Sequence, residues 1–286
     1  MLQMAIVPAK RDIFHTIAYY FFRVFGPTML TAGIVGIAAM NWIFLIFPMS
    51  RESGKVIVML LFILDLPPLF MYLYSIIYAI SGDNGTLQEA LRNNVRNHRI
   101  NENLLRSLPV CDKCGLPKPP RCHHCSFCNK CHLRMDHHCP ALGRCVAVKN
   151  MQPFLVMLTW GQILTTVFLV QLLFPYFYLG EFVIIVYCMA GLLLVLLICL
   201  TGLKMDVMYR VKTNTTVVEI LSSSKYRPYD LCYEENMRQV FGTGRFRFLI
   251  PRKSTMTGFE WAEPRFRNDS NATENHDYEF KNVDVA

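Results

Sequence analysis

The chain has 286 residues, of which 53% are hydrophobic and 17% charged, and a formal net charge of +8. Its apolar residues come in blocks too long for a pair of ordinary soluble domains, so a membrane protein is expected from the start. The basic charge does not call for nucleic acid, because segments that face an anionic cytoplasmic leaflet carry the same excess, and no nucleic-acid partner is expected.

In chain order, the first element is an amphipathic run over residues 13–25. It reads either as a helix lying in the membrane interface, with Arg23 among the headgroups, or as an early extension of the first span. The apolar stretch after Lys10 and Arg11 is interrupted by His15 and Arg23 and lacks a small-residue cleavage site, so it does not read as a cleaved leader, and the first span is expected to stay as an anchor. Four spans follow: residues 28–47 without charge, 56–80 with Asp65 alone, and 154–178 and 182–203 without charge. Each has the roughly 20 residues a helix needs to cross a bilayer with its backbone groups paired internally. Asp65 stands just before Pro67 and Pro68, which predicts a kink whose freed groups and carboxyl are satisfied inside the bundle. An intramembrane acid reads either as a functional group or as a helix cap.

Lysine and arginine set the expected orientation. Of the 29, 27 lie in residues 1–27, 81–153 and 204–286, which places both termini and the central loop in the cytosol. Residues 179–181 are all that joins the last two spans, so the chemistry belongs to the cytosolic segments. The expected division is residues 1–27 as an N-terminal segment with an interfacial helix, 28–80 as spans one and two, 81–153 as a cysteine-rich module, 154–203 as spans three and four, and 204–286 as the tail. Within that tail residues 268–286 are polar enough to be disordered. The glycosylation patterns at Asn214, Asn268 and Asn271 fall on the cytosolic side and read as chance matches.

Eight of the 11 cysteines lie between Cys111 and Cys145. In the reducing cytosol that density points to metal rather than disulfides. Cys111, Cys114, His124 and Cys131 are separated by two, nine and six residues, and Cys125, Cys128, His138 and Cys145 repeat those gaps with a shift of 14. Three thiolates and one imidazole make a closed tetrahedral shell suited to structural zinc. Two zinc ions are therefore expected, ordering a loop too rich in Pro, Gly and charge to fold otherwise.

Cys122, Cys139, His123, His132 and His137 are left over. Cys139 stands where the repeat has Cys125, but the cysteine expected three residues later is replaced by Leu142. A thiol held in a metal-ordered loop without a metal is available as a nucleophile. His137 is two residues away as base or thiolate partner, and Asp136 is placed to orient the imidazole. Cys122 and His132 have no evident partner, and His123 reads either as a group behind the first metal site or as a surface residue.

With these residues assembled, the chain resembles the DHHC family of protein S-acyltransferases, or palmitoyltransferases. The likeness covers the four spans and the segment from Cys111 to Asn150, including Lys118-Pro119-Pro120-Arg121, His123-His124-Cys125 and Asp136-His137-His138-Cys139. A weaker likeness over Asn236 to Gly242 matches a C-terminal motif that holds the tail near the membrane. The resemblance implies an all-α polytopic membrane protein with a small cytosolic zinc-binding cysteine-rich domain between the second and third helices. It implies a fatty acyl-CoA co-substrate, an acyl-enzyme on Cys139, and transfer to membrane-proximal cysteines of substrate proteins, with coenzyme A near basic residues such as Arg144 and Lys149. The Golgi or the endoplasmic reticulum is the compartment implied. An enzyme is the expected reading; the alternative is a weakened membrane adaptor that uses the zinc domain for protein binding. The sequence departs from the family pattern at Ala141, Arg144 and Ala147, at Asp83-Asn84-Gly85, and at Thr215-Thr216-Val217-Val218-Glu219, which is one residue longer than the family's motif. Thr216 and Glu219 keep capping-box spacing, so a helix start is expected there.

Overall fold

The computed structural model describes residues 13–43, 55–96, 102–172, 183–222 and 228–262. The polar end at 268–286, the short connection at 179–181 and the outer ends of three expected spans lie outside the described residues. Four helices are long and apolar enough to cross a membrane: α1 (Ile13–Asn41), α2 (Lys55–Ser81), α5 (Met151–Gln171) and α6 (Val183–Lys212). Between α2 and α5 come the short helices α3 (Leu87–Arg96) and α4 (Glu102–Ser107), then a cysteine-rich module of two small hairpins. After α6 the chain forms α7 (Val217–Ser222) and α8 (Tyr233–Phe241).

Helix α5 is the centre of the bundle. Over half of its span window (56%) is buried against protein, compared with 11% for α6, so α5 is lined by α2 on one side and α6 on the other while α6 faces outward. Residues 151–158 of α5 are all buried, because the cysteine-rich module sits directly on its first two turns.

Helix α1 is continuous from Ile13, through Pro27, to Asn41, so the amphipathic run and the first apolar stretch are one helix. Helix α2 is likewise unbroken across Pro67 and Pro68. The Asp65 carboxylate therefore does not cap a helix start. It accepts from Trp42 Nε1 at 2.9 Å and from Gln171 Nε2 at 2.7 Å, while Asn41 Nδ2 donates to Gln171 Oε1 at 2.6 Å. A buried carboxylate with neutral donors from two other helices is how an acid is accommodated between spans. The cluster ties α1, α2 and α5 together at the end opposite the cysteine-rich module.

Candidate metal centres and thiol site

The 14-residue repeat is a repeat of structure. Strands β1 (His123–Cys125) and β2 (Lys130–His132) form one antiparallel hairpin, and β3 (His137–Cys139) and β4 (Arg144–Val146) form the other. Directly opposed residues point to the same face of a two-stranded ribbon, and successive residues alternate. In the first hairpin His124 faces Cys131; in the second His138 faces Cys145. Each pair is joined by two cysteines at two-residue spacing, Cys111 with Cys114 and Cys125 with Cys128. Cys125 lies on the strand that supplies His124 but points the other way, so the first hairpin contributes ligands to both sites.

All eight residues named from the spacing gather into these two clusters, with the donor atoms of each within 4.8 Å of one another. His124 Nδ1 lies 4.0, 3.2 and 3.8 Å from the sulfurs of Cys111, Cys114 and Cys131. His138 Nδ1 lies 3.6, 3.4 and 3.8 Å from those of Cys125, Cys128 and Cys145, and Cys128 Sγ is 3.6 Å from Cys145 Sγ. A tetrahedron with ordinary zinc–sulfur and zinc–nitrogen bonds has edges of about 3.5–3.8 Å, so the donor sets fit the ion in type and in size. The hydrogen bond with Cys125, with burial behind it, pushes the Cys128 thiol up.

Around the clusters, backbone carbonyls are claimed by side chains. Asn84 Nδ2 and Asn150 Nδ2 each donate to the Cys145 carbonyl at 3.0 Å, and Gly85 N donates to Asp83 Oδ1 at 2.8 Å. Asp83-Asn84-Gly85 thus forms a turn whose middle side chain anchors a metal ligand. Arg144 donates to the Ile80 carbonyl at the end of α2, and Lys149 to the carbonyls of Ser254 and Met256. Both bases expected near coenzyme A are therefore also tied to the frame. Of the left-over residues, Cys122 is buried in the apolar cluster that also holds Cys131 and Trp261. Burial pushes the His123 imidazole down to about 4. The His132 ring is buried with no hydrogen-bond partner for either nitrogen among the described residues.

Strand β3 separates its residues by the same alternation. His138 points to the metal cluster, while His137 and Cys139 share the other face. The His137 ring packs edge-on to Phe154 of α5 at 5.7 Å. Its Nδ1 is 2.7 Å from Asp136 Oδ2; a carboxylate only accepts, so the proton is on Nδ1, and the ring's other edge serves its hydrogen bond with Cys139. Burial opposes the charged imidazole, but the hydrogen bonds to Asp136 and Cys139 outweigh it and raise His137 to about 9. Cys139 is 9% exposed and belongs to the apolar cluster formed by the membrane helices.

Several residues of the site carry no sequence motif. Arg210, near the end of α6, donates from Nε to Asp136 Oδ1 and from Nη2 to Asp136 Oδ2, each at 3.2 Å, and also pairs with Asp206. Burial pushes the Asp136 carboxyl up, but His137 and Arg210 together hold it below the usual range. The stretched threonine motif folds as a capping box, with Glu219 N to Thr216 Oγ1 at 3.2 Å and Thr216 N to Glu219 Oε2 at 3.0 Å. Val217 N lies 3.3 Å from Asp136 Oδ1, so the motif does reach the site, through the backbone. Glu219 also takes a two-pronged contact from buried Arg121, whose guanidinium lies over both the Tyr229 and the Trp261 ring. Gly26 of α1 lies against Pro140, the residue after Cys139, so closely that a β-carbon would collide with the Pro140 carbonyl oxygen. The capping-box spacing of Thr216 and Glu219 was the sequence signal here; Arg210 and Gly26 had none.

Comparison with known proteins agrees with this architecture. A family model described as DHHC palmitoyltransferase matches residues 106–224. Human palmitoyltransferase ZDHHC2 is 32% identical over 187 residues, 59% of this chain and 50% of that protein. Rat palmitoyltransferase ZDHHC15 is 32% identical over 155 residues, 49% of this chain and 46% of its own. A probable protein S-acyltransferase 12 of Arabidopsis thaliana is 29% identical over 209 residues, 64% of this chain and 69% of that one. Residues 106–224 thus match the DHHC family, and the relatives named palmitoyltransferase or protein S-acyltransferase support it. The chain spans about half the length of the first two of these relatives.

Proposed function

We propose that this protein is a protein S-acyltransferase in which Cys139 carries the acyl group, His137 moves the proton and Asp136 orients His137. The observation that carries the reading is a thiol outside both metal clusters, hydrogen-bonded to a histidine–carboxylate pair and set in the apolar core of the span helices. His137 takes the Cys139 proton, and the sulfur attacks the thioester carbonyl of a fatty acyl-CoA. The bond to coenzyme A breaks, its sulfur leaves with the proton from His137, and the acyl group stays on Cys139. A substrate cysteine then gives its proton to His137 and attacks the new thioester, which returns the acyl chain to a protein and the proton to Cys139. An acyl chain fits an apolar bundle, and palmitoyl is the chain proposed.

Zinc, when bound, supplies folding energy to the two hairpins and takes no part in the chemistry. The ligands are Cys111, Cys114, His124 and Cys131 for one ion and Cys125, Cys128, His138 and Cys145 for the other. The charge pattern supports a cytosolic position for residues 81–153 and both termini; the family resemblance is what implies a Golgi or endoplasmic reticulum membrane and membrane-proximal cysteines of other proteins as acceptors.

The test is incubation of zinc-replete protein with alkyne-tagged palmitoyl-CoA. Hydroxylamine-sensitive label is expected on the parent and none on Cys139→Ser. Equal labelling of the two would sink the mechanism and leave the zinc module as an adaptor.

A further inference from the structure

The two metal clusters share a ligand pattern but not a cover. In each, three ligands are buried and one is partly open: Cys114 in the first cluster and His138 in the second. Water or a chelator that draws an ion out meets the open ligand first, so the apolar groups beside that ligand govern how fast the ion can leave.

Beside His138 stands Phe127, in the two-residue turn between Cys125 and Cys128. Its ring stacks on the imidazole, with centroids 5.0 Å apart and planes 19° from parallel. Phe127 is 38% exposed, so its outer face is open while its inner face covers the ligand. His138 Nδ1 is the atom gathered with the three sulfurs, and a ring lying on the imidazole hinders the tilt by which that nitrogen would swing off an ion. The thiol side of this cluster is roofed as well. Tyr19 of α1 packs against the group of Cys125, Cys128, Met135 and Cys145, and its hydroxyl accepts from Arg23 Nη1, one turn on, at 2.7 Å. The repeat supplies a comparison within the same chain. Its shift of 14 brings His124 onto His138 and Lys113 onto Phe127. Lys113 is exposed and has no ring to lay on a ligand, and the open Cys114 follows it directly.

We propose that Phe127 is the lid of the second metal site, and that the two ions of this chain exchange unequally, the first readily and the second slowly. The slow ion is the one behind the thiol: His138 lies between His137 and Cys139 on β3 and points the opposite way. Loss of the first ion loosens the cluster of Cys111 and Cys131 with Phe259 and Trp261, while β3 keeps its place. Phe127 is thus also a positioning residue for the proposed transfer, and that part of the inference rests on the transferase reading.

The test follows zinc release from the full zinc-loaded chain in detergent to excess pyridylazoresorcinol, whose zinc complex is coloured. Two phases of equal size are expected, and Cys114→Ser, which removes a ligand of the first site, should leave only the slow one. Phe127→Lys should speed the slow phase roughly tenfold and leave the fast phase as it was, whereas Phe127→Tyr should match the parent. Phe127→Leu, which keeps an apolar side chain without the stack, should speed it as well, so the result does not depend on an added charge. A starting content of two ions and a parental helix signal in these variants separate loss of the lid from misfolding. Labelling of Cys139 by tagged palmitoyl-CoA, sampled during release, should decline with the slow phase. A single phase, a slow phase that belongs to the first site, or release unchanged in Phe127→Lys and Phe127→Leu overturns the lid. Labelling that declines with the fast phase overturns the positioning role. A parent chain that is never labelled counts against the transferase reading alone, because zinc release is read without the chemistry of Cys139.

Discussion

Asp136 receives donors from three parts of the chain: the neighbouring His137, Arg210 on the fourth span and the backbone of Val217. A carboxylate that is fully buried needs such a set, and removing one partner of a buried pair costs about 3–5 kcal/mol because the remaining charge stays buried. Arg210 is thus a positioning residue for the proposed base. Arg210→Gln is expected to lower the rate of acyl labelling roughly tenfold or more, the usual scale for groups that orient reacting residues. Arg210→Lys, which keeps the charge but loses the fork, should recover part of that rate. The initial rate of labelling by tagged acyl-CoA at constant zinc content measures both. The sequence made His137 and Cys139 legible because they are two residues apart on one strand face. Arg210 was not legible, since it lies 74 residues from Asp136 and meets it only after the spans have packed.

The two hairpins hold the site at the scale of elements, and the metal repeat builds them. Cys128→Ser is expected to reduce zinc from two ions per chain to one and to lower labelling without touching the proposed nucleophile. Chelation should abolish labelling of Cys139 while most of the far-ultraviolet helix signal remains, because the long helices carry no metal ligand. Helix α1 supports the same site from the membrane side at Gly26, where the backbone approaches Pro140. A methyl group there forces the helix or the turn to shift, an overpacking of about 1–3 kcal/mol. Gly26→Ala should therefore slow labelling at unchanged zinc stoichiometry. Ligand spacing revealed the hairpins because it is local. The glycine gave no such signal, for its partner is more than a hundred residues away.

At the scale of the molecule, α5 links two polar ends through an apolar middle. One end carries the cysteine-rich module; the other carries the Asp65 cluster with Trp42, Asn41 and Gln171. Asp65→Ala leaves the Trp42 and Gln171 donors without their acceptor, at about 1–3 kcal/mol for a buried unpaired group. A lower thermal midpoint in detergent with both zinc ions retained is the expected outcome, and parental stability would show that the cluster has other acceptors. Hydropathy was enough to find the spans, because each is a single uninterrupted signal. How they pack was hidden: Gln171 and Asp65 belong to different helices, and no periodicity connects them.

The two metal clusters also decide which sulfur can react. Within the segment from Cys111 to Cys145 two ions would engage six of the eight cysteines, and of the remaining two Cys122 is fully buried. With both ions in place, Cys139 is the one thiol of that segment left to meet a thioester. Zinc then acts as a protecting group in the synthetic chemist's sense, masking competing nucleophiles. Loss of metal would not only end acylation at Cys139 but also uncover the neighbouring sulfurs.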